Sequence, residues 1–418
     1  MKCRHCGQPL QLPFLDLGSA PPSNAYLSEA ALRAPETWFP LRLLVCETCW
    51  LVQTEDHAGR EALFTDDYAY FSSFSSSWLA HARAYVQTMQ QRLGLNASSR
   101  VVEVASNDGY LLQYVQAAGI PCYGIEPTAS TAAAARAKGI AVVERFFGVA
   151  LAEELAGDSA EGGRQADLIA ANNVLAHVPD INDFVGGFAR LLKPHGVATF
   201  EFPHLLRMVQ GSQFDTAYHE HYSYLSLTAV QRIFAANGLT VIDVQELPTH
   251  GGSLRVFAAR ADAHHHPQDT AESAARVQLL LATEAAAGML GASFYSDFQA
   301  KAIQIKGELL TFLLQCRAQG LRVGAYGAAA KGNTLLNFAG VRPDLLPYVV
   351  DKNPAKQGQY LPGSRIPIVD EAHLRAHRPD RVLILPWNLR DEVAAQLDYV
   401  RGWGGRLVVA VPRLEVFA

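Results

Sequence analysis

Tyr218-His219-Glu220-His221-Tyr222 crowds proton donors and acceptors into five consecutive residues, a composition suited to general acid–base work. Its histidines stand two apart rather than four, so they would not share one helical face as the ligands of an HExxH zinc site do. No catalytic metal is expected there. A second constellation has metal-binding spacing: Cys3-Arg4-His5-Cys6 and Cys46-Glu47-Thr48-Cys49. Each pair lets one tight turn aim two sulfurs at a point, and two such turns make the tetrahedral thiolate cage of a structural Zn²⁺. The competing assignment is two disulfides. Nothing marks the chain as secreted, so zinc held by Cys3, Cys6, Cys46 and Cys49 is expected.

The remaining composition sets bounds. A chain of 418 residues is too long for one core and fits two or three domains. Its net charge of −5 provides no basic field to recruit nucleic acid or anionic lipid. The N-terminal residues have no apolar signal core, and no apolar run reaches the length of a membrane span. A soluble cytoplasmic protein is expected, acting as a monomer without nucleic-acid or membrane partners.

Residues 1–72 hold the cysteine pairs and short apolar runs, a segment that needs bound metal to fold well. From Val101 onward, short apolar runs alternate with helical stretches, which argues a parallel sheet covered on both faces. The runs are Val101–Val104, Cys122–Ile125, Ala141–Val143, Leu168–Ala171 and Val197–Phe202. Ser226 is the expected cap of a following helix. His264-His265-His266 falls in a polar stretch read as a linker, and a second α/β unit begins at Leu321. The expected fold class is α/β. It comprises an N-terminal zinc-binding module over 1–72, a Rossmann-like domain over 73–262, and a second Rossmann-like C-terminal domain over 263–418.

Two strand–turn–helix loops have the character of nucleotide sites. In the first, Glu103, Ala105, Asn107 and Gly109 line the turn, and Glu126 ends the next strand, where an acid can accept from ribose hydroxyls. The loop departs from GxGxxG. Glu103 would repel a diphosphate but suits a cationic sulfonium. The second loop carries Gly327, Lys331 and Asn333, placing a cation at a helix start where an anion is held well, with Asp351 ending the following strand.

These residues resemble S-adenosylmethionine-dependent methyltransferases, with Asn172 falling in the matching fourth-strand segment. The whole chain is similar to the sugar C-methyltransferase family that acts on nucleotide-linked 4-keto-deoxysugars. The leading zinc module, the segment Tyr218–Tyr224, the run His250-Gly251-Gly252-Ser253-Leu254-Arg255 and the loop Gly327–Thr334 carry that resemblance. It implies methyl transfer to the carbon α to a ketone, C-3 favoured over C-5, on a dTDP-type sugar. Free imidazole titrates near ~6.5 and a ketone α-proton is roughly 12 units less acidic, a gap of some ~16 kcal/mol. A base alone cannot close it, so donors must stabilise the enolate. His221 is the candidate base, oriented by Glu220 or another carboxylate. Tyr218 and Tyr222 are candidate donors, and His177 is the rival for either role. Tyr70, His250, Arg255, Gly327, Lys331, Asn333 and Asp351 are candidate contacts to the nucleotide sugar. Two alternatives stand beside this reading: an NAD-dependent oxidoreductase built on the C-terminal unit, and a non-catalytic zinc and nucleic-acid-binding module.

Overall fold

The computed structural model describes residues 1–57, 71–157, 163–263 and 270–417. Tyr70 and the histidine run 264–266 lie outside the described residues. Three sheets organise the chain. The first holds β1 (Leu12–Ala20), β2 (Phe39–Val45) and β3 (Val52–Thr54), all antiparallel. The second is built from β4 (Val101–Val104), β5 (Cys122–Ile125), β6 (Val142–Val143), β7 (Ala166–Asn172) and β8 (Leu192–Pro203). The two-residue strand β9 (Ser223–Tyr224) then leaves it to become the fourth strand of the first sheet, Val52 facing Tyr224 and Gln53 facing Ser223. β10 (Leu239–Leu247) and β11 (Ser253–Arg260) return and complete the order β10-β11-β8-β7-β4-β5-β6. A third sheet, ordered β14-β13-β12-β15-β16-β17, uses β12 (Val323–Tyr326), β13 (Val349–Val350), β14 (Ile368–Val369), β15 (Arg381–Ile384), β16 (Arg406–Val409) and β17 (Glu415–Phe417).

The five runs from Val101 to Phe202 form a parallel sheet as expected, and two further strands extend it. β11 runs antiparallel to both β8 and β10, because the chain returns through the short turn Thr249–Gly252 instead of a helical crossover. β17 is likewise antiparallel to β16. Ser226 caps the helix Leu227–Ala236 as expected, its hydroxyl accepting from the Ala229 N–H.

The three sheets share cores. Cys3, Cys46, Cys49, Leu10 and Leu51 pack in one apolar cluster with Ile181, Phe188, Val230 and the central strands. Phe14 of β1 stacks on Phe298 at 4.6 Å, joining the first sheet to the long helix Phe298–Ala318 and the third-sheet core. A polar hub ties the helix Ala271–Ala286 to the central sheet. The buried Glu284 carboxylate accepts from the Leu227 and Thr228 N–H groups and the Thr228 hydroxyl, and pairs with His204 at 2.7 Å.

Those donors hold Glu284 below the usual carboxylate range despite burial, which acts against them. Its stabilising contribution is therefore present above the ordinary carboxylate pKa and is lost as pH falls through the lower folded value. Glu284→Ala is expected to destabilise the fold by about 3–5 kcal/mol at neutral pH, read by urea titration, because it orphans His204 and a helix start.

Candidate active site and metal centre

The two cysteine knuckles are built alike. The Gly7 N–H donates to the Cys3 carbonyl at 2.9 Å and the Trp50 N–H to the Cys46 carbonyl at 2.8 Å. Gly7 and Trp50 both take positive φ, turning the chain back so that each pair of sulfurs converges. The four Sγ atoms lie within 4.8 Å of one another, with separations of 3.4, 3.5 and 3.7 Å for three of the pairs. Tetrahedral thiolates at a 2.3 Å Zn–S distance stand about 3.8 Å apart, so the donor set fits zinc. Burial pushes the Cys6 thiol up to about 11, and a hydrogen bond from Cys49 pulls Cys3 down to about 4. Four sulfurs this close cannot all ionise without a cation among them, and a bound Zn²⁺ would supply it. Gln53 donates to Cys3 Sγ at 3.3 Å and fixes that ligand from β3.

The second site lies where the order of the central sheet reverses, between β4 and β7. After β4 the chain turns through Ala105 and Asn107, both at positive φ, then Gly109, where a Cβ would strike Ile140 at 2.4 Å. Strain of this kind persists where backbone must approach a ligand. Glu126, at the end of β5, accepts from the Asn107 N–H at 2.9 Å and the Thr128 N–H at 3.0 Å, one on each oxygen. A carboxylate has about four acceptor positions, so these two N–H groups do not exhaust it. Glu103 is fully buried without a well-formed hydrogen bond, and burial pushes its carboxyl well up. Asn172 Oδ1, at the end of β7, and Ser106 Oγ, in the turn after β4, are likewise buried without a hydrogen-bond partner. Unmet buried acceptors around a carboxylate suit a cationic, hydroxyl-rich group, which fits S-adenosylmethionine.

The third cluster is the segment leading into β9. His221 Nδ1–H donates to the Thr216 carbonyl at 3.0 Å, which fixes the tautomer and leaves Nε2 as the acceptor. The Tyr218 hydroxyl sits 2.6 Å from that Nε2 and donates to it. Burial, together with the charge of Lys331 and the neighbouring His177, holds His221 well below the ordinary imidazole range. The His177 ring meets His221 edge-on at 4.6 Å, and its Nδ1–H donates to the Glu220 carbonyl at 2.8 Å. Burial lowers His177 to about 4. Both imidazoles are therefore neutral at working pH.

Three family models match the chain in order: a zinc-binding domain over 3–64, a methyltransferase domain over 78–244 and a C-methyltransferase C-terminal domain over 248–412. A relative from Streptomyces niveus, C-methyltransferase NovU, is 33% identical over 417 residues, covering 100% of this chain and 97% of the relative. The chain belongs to the C-methyltransferase family. Solved structures align more loosely. The 1,6-didemethyltoxoflavin-N1-methyltransferase of Burkholderia thailandensis is 18% identical, with a TM-score of 0.37 over 51% of this chain and 96% of its own. The magnesium protoporphyrin IX methyltransferase of Synechocystis gives 16% and 0.35 over 50% and 100%.

This C-methyltransferase is an S-adenosylmethionine-dependent enzyme with a zinc-binding module. The oxidoreductase and non-catalytic alternatives fall with that membership. Among the described residues, no helix is long and apolar enough to cross a membrane. The structure places the remaining candidates unevenly. Glu220 does not orient His221, because the Thr216 carbonyl holds that nitrogen and Glu220 Oε1 instead accepts from Asn24. Tyr222 is nearly fully buried with the Arg4 guanidinium 5.3 Å over its ring, so the zinc module covers it. Arg255 is committed to Glu201 at 2.6 Å and lies over the Tyr85 ring, so its charge is already answered. Asn333 is buried and donates to the Ser23 carbonyl. Asp351 closes a turn by accepting from the Ala328 and Asn353 N–H groups. Gly327, at φ +93, stands where a Cβ would strike Pro386 at 2.4 Å.

Lys331 reaches inward from the C-terminal domain. Its Nζ donates to Asn388 at 3.0 Å and lies 4.7 Å from the Trp387 ring centre, and burial lowers it to about 8. Its charge is felt at His221 and at His250. His250, at positive φ, meets the Trp78 ring edge-on at 5.3 Å, and burial lowers it to about 4. Sequence reasoning missed Asp215, Trp387 and Asn388. The Trp387 indole N–H donates to Asp215 at 2.8 Å, and burial raises that carboxyl to about 6. Trp387 and Asn388 follow β15 at a sheet's C-terminal edge, a position that could have flagged them; Asp215 carried no such signal.

Metal analysis of the purified protein is expected to return one zinc per chain, and Cys46→Ser to lose it together with much of the folded population. Glu126→Ala is expected to weaken S-adenosylhomocysteine binding at least tenfold in calorimetry, the loss of a charged acceptor for two hydroxyls.

Proposed function

We propose that the enzyme methylates the carbon α to the ketone of a dTDP-type 4-keto-deoxysugar, at C-3 in preference to C-5, through an enolate. The observation that carries this reading is the 2.6 Å contact between the Tyr218 hydroxyl and Nε2 of a neutral His221 at the ligand edge of the central sheet. Carbon methylation needs a proton removed from carbon, and this pair is built to take one. In our reading the α-proton passes to the Tyr218 oxygen as the phenolic proton moves to His221 Nε2. The imidazolium formed is held by the Thr216 carbonyl. His177 is the alternative acceptor.

Lys331 supplies the charge that answers the enolate oxygen. The same cation that disfavours the His221 imidazolium favours the enolate, so the pair must be balanced by position rather than by basicity. S-Adenosylmethionine, when bound, supplies an electrophilic methyl group to the carbanionic carbon. Glu126, Asn172 and the Glu103–Gly109 turn would hold that cofactor, and the C-terminal domain would hold the nucleotide. Bringing two bound reactants together contributes roughly 7–11 kcal/mol.

The test is proton exchange separated from methylation. With S-adenosylhomocysteine bound, the wild type should exchange the sugar α-proton for solvent deuterium. His221→Asn is expected to abolish that exchange and lose at least a hundredfold in kcat while binding both ligands. Exchange at the wild-type rate would overturn the assignment and promote His177. Lys331, at about 8, loses its charge above that pH, so kcat/KM should fall on the alkaline side near pH 8. That limb should vanish in Lys331→Met, whose plateau should lie roughly a hundredfold lower. NMR of the product settles C-3 against C-5.

A further inference from the structure

The catalytic segment is reached by a loop from a part of the chain that carries none of the proton chemistry. Residues Ser23 to Tyr26 leave the zinc-bearing module and lie between the central and C-terminal sheets. Ser23 Oγ is 3.3 Å from Thr334 Oγ1, the Ser23 carbonyl accepts from Asn333 Nδ2, and the Tyr26 hydroxyl donates to the Ala328 carbonyl at 2.7 Å. Thr334 in turn donates to the Ala217 carbonyl, next to Tyr218. Stapled in this way, the loop presents Asn24 to Glu220. Its backbone N–H and its Nδ2 both donate to Glu220 Oε1, at 3.3 and 3.2 Å. The second oxygen, Oε2, is buried with no hydrogen-bond partner, in a residue 2% exposed. A carboxylate gripped on one oxygen and unmet on the other is set to accept a hydrogen bond from something that arrives.

We propose that Asn24 is a positioning residue. The zinc-bearing module, through this loop, holds Glu220 so that its second oxygen accepts from a hydroxyl of the bound sugar. The inference rests on the sugar-methyltransferase reading above. It adds that the module completes the active site rather than only folding beside it. The amide matters as a donor and not as a shape. Asn24→Asp keeps the shape, removes the donor and sets a carboxylate against Glu220.

The experiment compares wild type, Asn24→Asp, Asn24→Ser and Glu220→Gln with a dTDP-linked 4-keto-6-deoxyhexose as the probe. Zinc content and S-adenosylhomocysteine affinity are measured on each to establish folding. Asn24→Asp is expected to keep both and to lose at least tenfold in kcat/KM at pH 8. That loss should shrink as pH falls, because one proton shared between the two carboxylates restores a donor. Asn24→Ser, which keeps a hydroxyl donor, should stay within about threefold of wild type. Among the described residues, the other titratable groups that bear on Glu220 are His177, Tyr26 and Tyr224, and all are unchanged across the series. Wild-type kinetics in Asn24→Asp, or a loss that does not vary with pH, overturns the proposal. If Asn24→Asp fails to fold, Asn24→Ala carries the test: a tenfold loss supports the proposal and wild-type kinetics overturns it. Glu220→Gln separates the two levels. If it is impaired while Asn24→Asp is not, only the role of Asn24 fails. If it too turns over normally, the place of Glu220 in the sugar site fails.

Discussion

The pairing of β9 with β3 is the constraint on which the rest of the site depends. Two residues, Ser223 and Tyr224, leave the central sheet and hydrogen-bond to the strand that follows the second cysteine pair. The residues just before them are thereby fixed from outside their own domain. The Thr54 N–H donates to the Tyr222 carbonyl and the Thr54 hydroxyl to the His221 carbonyl. A loop held only by its own domain is more mobile than one paired into a neighbouring sheet. Here it leads into one strand of a sheet whose β2–β3 turn carries two of the four cage cysteines.

That arrangement gives the zinc a reach beyond its four ligands. The first sheet is small, and three of its cysteines are core residues shared with the central domain. Gln53 touches the cage at Cys3 and pairs with Ser223 in the ladder. Removing the metal would loosen the strand that holds the Tyr218–His221 pair. Metal binding and folding are coupled in such a module, and the backbone of the Tyr218–Tyr222 segment is tied to it through β3.

Electrostatics inside the site follow from burial more than from ion pairing. His221, His177 and His250 are held neutral by desolvation, Glu220 and Asp215 are raised by it, and Lys331 is lowered to about 8. Ion pairs answer other buried carboxylates, one of them close enough to act on His250. Glu201 is satisfied by Arg255 and His81, Asp243 by Arg92 and Arg276. Those pairs brace the β8–β11 and helix contacts around the cleft. They leave the site itself a low-dielectric region in which one lysine charge has a large effect.

Much of this was legible in the residues. The cysteine spacing specified the metal cage, because two residues between thiols permit only a tight turn. The alternation of apolar runs specified the two α/β units, because period and length distinguish buried strands from helices. Tyr218 and His221 stand three residues apart, so local geometry alone could bring them together. Tertiary structure decided the rest. Arg255 read as a contact to the nucleotide sugar, yet Glu201 from a neighbouring strand answers its charge. Glu220 read as the partner of His221, yet Asn24, 196 residues earlier, holds it while a nearby carbonyl holds the histidine. The direction of β11 and the departure of β9 into another sheet turn on a short turn and on which edge was open. Each of these depends on contacts between residues far apart in sequence, and spacing along the chain carries no record of which distant groups will meet.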